Sequence, residues 1–243
     1  MSRAAGPGAG AGLRRFVREP ERPAPGEHCE MCAQPVEETH SHVADLAKRS
    51  VMCACRGCAL LFTERGAAGG RYLTVPTRYL HDPDFTAAAG VFEELQIPVG
   101  MAFFLYNSEQ ERTVALYPSP AGATESLLPV ETAEAVTGSG AAIAFTGTEA
   151  AADVEAVLVR RRDAAEQDAG AYEGFLVPVD TCYRLVGLVR STWKGFDGGQ
   201  AARRALDGFF AELRERSRRV GPADPGAAAA ACRDGATGEG ASR

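Results

Sequence analysis

The chain has 243 residues, of which 45% are hydrophobic and 24% charged, with a formal net charge of −6. That length and apolar share suffice for one ordinary domain, or a domain with a small module, and no run approaches the roughly eighteen apolar residues of a membrane-spanning helix. Seven cysteines are present, and Cys29, Cys32, Cys53, Cys55 and Cys58 crowd into one short stretch, a distribution that favours a metal site over scattered core thiols.

Residues 1–26 and 221–243 are rich in Gly, Ala, Pro and Arg and lack apolar periodicity. Such segments bury too little apolar surface to offset the entropy of ordering, so both are expected to be disordered tails, and Cys232 falls in the second. No secretory leader is legible, so the expected compartment is the cytoplasm, where thiols stay reduced.

The foldable body divides at Gly66-Ala67-Ala68-Gly69-Gly70 into a cysteine module at 27–66 and a domain at 71–220. In the module, Ser41–Leu46 and Ser50–Ala54 are predicted to pair across Ala47-Lys48-Arg49, and Arg56–Glu64 reads as a short helix. Beyond the glycines, Arg71–Val75 is a predicted strand. A helix is expected to open at Asp82-Pro83 and run to about Leu95. Pro98–Tyr106 and Arg112–Tyr117 form a predicted hairpin across a polar turn. The stretch Pro118–Ser126 lacks the glycines and the Gly-Lys-Ser/Thr ending of a phosphate loop and reads as an ordinary connection.

A weak helix is expected at about 129–136, and strands at Val154–Val159 and Phe175–Val179. Asp180 is the expected N-cap of a helix burying Cys182, Leu185, Val186, Val189 and Trp193. A last helix turns Leu206, Phe209, Phe210 and Leu213 inward and Arg214, Glu215, Arg218 and Arg219 outward, with Gly221-Pro222 stopping it. Strands and helices without a regular βαβ series make the fold class α+β.

The chemistry-bearing pattern is Cys29-x2-Cys32, a spacer, then Cys53-x-Cys55-x2-Cys58. A Cys-x2-Cys turn brings two sulfurs to one side with backbone amides pointing inward, and two such pairs complete a tetrahedral site. Cys29, Cys32, Cys55 and Cys58 are the preferred ligands, because a helix opening on the second pair favours thiolates. Cys53, two residues before Cys55 on the strand, is the first substitute. His42 and His40 read as a solvated strand edge or as members of a mixed set.

Zinc in a closed structural site is the expected metal, since no carboxylate or histidine is visibly arranged to leave an open position. Iron, in a rubredoxin-like centre or an iron–sulfur cluster, is the alternative, although rubredoxin knuckles place glycine where this chain has Ala33 and Ala59. Within 27–66, Lys48, Arg49, Arg56 and Arg65 face six acidic residues, a formal −2 that argues against nucleic acid and for a protein partner. No catalytic constellation is legible: Cys182 reads as a core thiol, Glu125 and Asp180 as single carboxylates in turn and cap roles, and His81 is unassigned.

Knuckle, hairpin and a helix carrying Cys-x2-Cys resemble a treble-clef zinc module. Over most of the body, Cys29-Glu30-Met31-Cys32, His40-Ser41-His42, Cys53-Ala54-Cys55-Arg56-Gly57-Cys58, Pro98-Val99-Gly100, Pro118–Ser126 and Val177–Gly187 through Trp193-Lys194-Gly195 resemble an uncharacterised bacterial family encoded near NiFe hydrogenase genes. The resemblance implies a non-enzymatic accessory, assembly or electron-transfer partner of such a hydrogenase, meeting a subunit or maturation factor. An electron carrier on the same cysteines is the alternative.

Overall fold

The computed structural model describes residues 27–86, 100–126, 143–162, 172–195 and 198–220. The two expected tails, the helix expected to about Leu95 beyond residue 86, and the weak helix at 129–136 lie outside the described residues. The architecture is mixed α+β, with two main sheets and few helices.

The N-terminal sheet is three-stranded and antiparallel. β1 (Ser41–Asp45) and β2 (Ser50–Ala54) form the predicted hairpin, with Arg49 at its turn holding φ +53°. β3 (Tyr72–Thr74) pairs with the other edge of β1, so this sheet draws on residues from both sides of the glycine run. Arg71 locks that pairing: its guanidinium donates to both carboxylate oxygens of the buried Asp45, at 2.7 Å from Nη2 to Oδ2. The helix expected over Arg56–Glu64 is one four-residue turn, α1 (Arg56–Ala59), followed by a 3-10 turn at Leu60–Phe62.

The second sheet has seven strands in the order β12-β4-β11-β10-β5-β6-β7. These are β4 (Leu80–Asp82), β5 (Met101–Asn107), β6 (Arg112–Ser119), β7 (Gly122–Glu125), β10 (Glu155–Arg161), β11 (Tyr172–Pro178) and β12 (Arg218–Arg219). β8 (Ile143–Phe145) and β9 (Thr148–Ala150) form a separate hairpin. Strand alternation sorts the core into two layers. Met101, Phe103, Ala156, Leu158, Phe175 and Val177 face the helices α2 (Val179–Thr192) and α3 (Gly199–Arg216). Ala102, Phe104, Val157, Val159 and Leu176 face the opposite side, where Phe85, Phe145 and Ala150 cover them. Because both faces are covered, β10 is buried at six successive positions.

Pro118–Ser126 is not a plain connection: it closes a hairpin, Pro118 pairing with Ala123 and Ser119 with Gly122, whose φ of +131° suits the tight return. Asp82 ends β4 instead of opening a helix, its carboxylate accepting from Asp84 N–H and the Thr146 hydroxyl. Asp180 is not the N-cap of α2: Pro178 holds that place, and Asp180 is already helical, leaving its carboxylate for other partners. α3 ends at Arg216 well before Gly221, because Arg218 and Val220 donate to the Tyr79 and His81 carbonyls and build β12 beside β4.

Arg214 points inward, not outward. Its guanidinium meets the buried Glu173 at 2.7 and 2.9 Å, and Glu173 also lies 3.3 Å from His81 Nε2. His81 stacks flat on Phe175, ring centroids 4.4 Å apart. Glu125, read as a lone carboxylate, pairs with Arg112 at 2.6 Å. Cys182 is fully buried, and that burial raises its thiol pKa, as expected of a core thiol.

The N-terminal sheet rests on the rest of the molecule through Ala44, Leu73 and Val75 against Val154 and Val179. Arg65 adds a bond to the Ala152 carbonyl at 2.6 Å and an ion pair to Asp153. No helix among the described residues is long and apolar enough to cross a membrane.

Candidate metal centre

The site begins with a tight loop. Cys29 N–H donates to the Gln34 carbonyl and Ala33 N–H to the Cys29 carbonyl, both at 2.8 Å, closing a knuckle around Cys29 and Cys32. Ala33, just after the second cysteine, holds φ +60°. Rubredoxin knuckles place glycine here, and the left-handed turn forms despite the Ala33 methyl group, at a cost of about 1–2 kcal/mol.

The knuckle is fastened to β2 twice: Glu30 N–H donates to the Cys53 carbonyl at 2.9 Å, and Glu30 Oε1 accepts from Cys53 N–H at 2.8 Å. The same strand then delivers Cys55 to the start of α1, where its sulfur caps the helix by accepting from Cys58 N–H. Val43, Ala54 and Ala59, with Met31, Met52, Phe62 and Tyr72, form a small apolar core around Cys29, Cys55 and Cys58.

This arrangement brings Cys29, Cys32, Cys55 and Cys58 together, their sulfurs all within 4.8 Å of one another. The Cys32 and Cys55 sulfurs are 3.7 Å apart. Four sulfurs around a tetrahedral ion with bonds near 2.3 Å would stand about 3.8 Å apart, so the set fits one ion. The polar surroundings favour thiolate at the innermost position. Burial pushes the Cys29 thiol up, but backbone N–H groups of Cys55, Cys32 and Met31 donate to its sulfur and bring it down to about 6. Cys58 is pushed up to about 12 by hydrogen bonds shared with the Cys32 and Cys55 thiols, followed by burial. A cation bound by all four sulfurs would displace their protons.

Cys53 does not stand in this group. Strand alternation stops at Ala54, and Cys55 turns into the helix cap, so the two cysteines no longer share a face. Cys53 lies opposite His42 in the β1–β2 register, and its sulfur and one ring nitrogen each of His40 and His42 lie within 4.8 Å of one another. The histidines are not a solvated edge either. The His40 side chain is 8% exposed, and His42 Nδ1 is 2.7 Å from the carboxylate of Asp180 on α2. The i, i+2 spacing of His40 and His42 was the available signal for one shared face; the partner from α2 had none.

The cysteine knuckle, the sheet behind it and the larger sheet-and-helix body define a protein of mixed α+β class with a four-thiol cluster suited to a metal ion. Residues 28–217 match the model of the Family of unknown function (DUF5947), and the chain belongs to that family. No curated protein and no solved structure matches it.

Proposed function

We propose that this protein is a non-enzymatic metal-binding accessory protein. Cys29, Cys32, Cys55 and Cys58 hold one structural zinc ion, and the metal-stiffened module makes contact with a protein partner. The observation that carries the reading is the convergence of four sulfurs within 4.8 Å, three of them packed into the small core of the N-terminal sheet. A complete set of four protein ligands leaves no place for substrate, which is the pattern of structural zinc. Knuckle, hairpin and helix start follow one another in the order of a treble clef, which supports that resemblance.

Leu60 and Leu61, 61% and 67% exposed, project from the turn directly after α1. Two adjacent leucines in water beside a metal cluster support contact with an apolar surface of another protein. The negative formal charge of residues 27–66 makes that partner a protein and not a nucleic acid. The resemblance described above makes a NiFe hydrogenase subunit or maturation factor the expected partner, in the cytoplasm.

The test is metal analysis of the full chain purified without added metal. The expected result is a colourless protein retaining zinc, with loss of the ion held by four sulfurs in the Cys55→Ser/Cys58→Ser double variant. Iron with visible absorption would replace this reading by an electron carrier, and a metal count in the double variant equal to that of the wild type would discard the ligand set.

A further inference from the structure

We propose that His40, His42 and Cys53 form a second metal site, separate from the four-cysteine cluster, that takes a divalent ion of the zinc class and leaves one coordination place for a ligand from outside. One ring nitrogen each of His40 and His42 and the Cys53 sulfur lie within 4.8 Å of one another, and the register explains why. Cys53 pairs directly with His42, and His40 sits two residues before His42 on the same side of the hairpin, its ring centroid 4.7 Å from that of His42.

The hydrogen bonds of the two rings carry the inference further. A ligating histidine uses one nitrogen for the metal and donates the other N–H to a carboxylate or a backbone carbonyl, which fixes tautomer and ring orientation. Both rings meet this condition. His40 Nδ1 lies 2.8 Å from the Glu37 carbonyl oxygen, and His42 Nδ1 lies 2.7 Å from Asp180 Oδ2. With Nδ1 engaged in each ring, Nε2 is the nitrogen left to ligate. The Nε2 atom of His40 is buried with no hydrogen-bond partner. A buried polar nitrogen without a partner is costly, and a metal ion would satisfy it.

Two imidazoles and one thiolate are borderline donors suited to zinc-class ions, and three protein ligands with a fourth place free is the pattern of open zinc sites. The Glu27 carboxylate approaches His40 at Nδ1, 3.5 Å away. His42 and Cys53 are half-buried, so the site is reachable from solvent. The reading is independent of the four-cysteine site. It assigns a role to Asp180 as the residue on α2 that positions His42, and it places a metal against the seam between the N-terminal sheet and the body.

The experiment reloads the full chain, stripped anaerobically, with zinc or cobalt ions and counts metal per chain beside the spectrum. Wild type is expected to take one equivalent more than the His40→Gln/His42→Gln variant, while the cobalt–thiolate absorption of the four-cysteine cluster persists in that variant as a folding control. Asp180→Asn is expected to weaken the second equivalent by about 10- to 100-fold in chelator competition. X-ray absorption at the zinc edge of the fully loaded wild type needs no variant, and nitrogen donors beside sulfur are expected. A sulfur-only shell, or equal metal content in wild type and the histidine variant, overturns the proposal. A Cys55→Ser/Cys58→Ser variant that still binds one equivalent through nitrogen and sulfur supports it, even if the four-cysteine reading fails.

Discussion

Glu173 shows how one residue organises the interior. It is 2% exposed, and its charge is held by Arg214 at 2.7 Å, Arg160 at 3.8 Å and His81 at 3.3 Å, so residues from α3, β10 and β4 converge on one carboxylate of β11. Burial opposes ionisation, yet hydrogen bonds from His81 and Arg214, with the charges of Arg214 and Arg160, hold the carboxyl below its ordinary range. A carboxyl more acidic in the folded than in the unfolded chain stabilises fully above its unfolded pKa, and that contribution drains away as pH falls through the folded value. Glu173→Gln leaves two guanidinium groups facing a neutral amide and is expected to cost about 3–5 kcal/mol at neutral pH in denaturant unfolding. The gap between variant and wild type should narrow on acidification below about pH 4, and a constant gap would mean that the charge is not the cause. None of this was legible in the sequence. Arg214 falls on the outward arc of its helix, and only the packing of α3 against β11 turns its long side chain back to Glu173.

At the scale of elements, local pattern carried the reading wherever local pattern decides the structure. The β1–β2 hairpin, the β5–β6 hairpin, β10, β11 and α2 fall within a few residues of their predicted bounds, and α3 starts where predicted but ends short of Gly221; alternation and helical spacing were strong in these segments. The four-thiol cluster was legible for the same reason, its spacing being a local property of two turns. What escaped was set at long range. β12 is two arginines that become a strand only because the edge of β4 is open beside them. β7 is a run of small and polar residues that pairs because Gly122 returns the chain. Asp180, expected as a cap, instead meets a histidine far away in sequence. Gly174 is another such case: it sits on β11 beneath the Phe85 ring, where a Cβ would lie 2.6 Å from Cγ of that ring. Gly174→Ala is therefore expected to displace Phe85 from the layer it covers and cost about 1–3 kcal/mol, read from the urea midpoint. An unchanged midpoint would show that the ring yields freely.

Across the whole molecule, the question is whether the metal-bearing sheet behaves as a separate body. Its strand β3 follows the glycine run, its apolar side rests on Val154 and Val179, and Arg65, Arg49 and His42 each reach an acidic residue or carbonyl of the remainder. These contacts tie β1 and β2 to the remainder, so unfolding as one unit is the expected behaviour. An ion that binds only the folded chain stabilises by mass action, and its loss lowers the stability of every element that must unfold with the site. Acid acts in the same direction as a chelator, since protons compete with the metal for thiolates and imidazoles. Removing metal with a strong chelator is therefore expected to shift a single calorimetric transition of the full chain to lower temperature. Two transitions, only the lower of which responds to the chelator, would instead make the seam a contact between independently folding bodies. In that case the His42–Asp180 pair would join two units and would not belong to one core. The same scan on Asp180→Asn separates these outcomes further: in a single unit the whole transition falls, whereas in two bodies the upper transition keeps its midpoint.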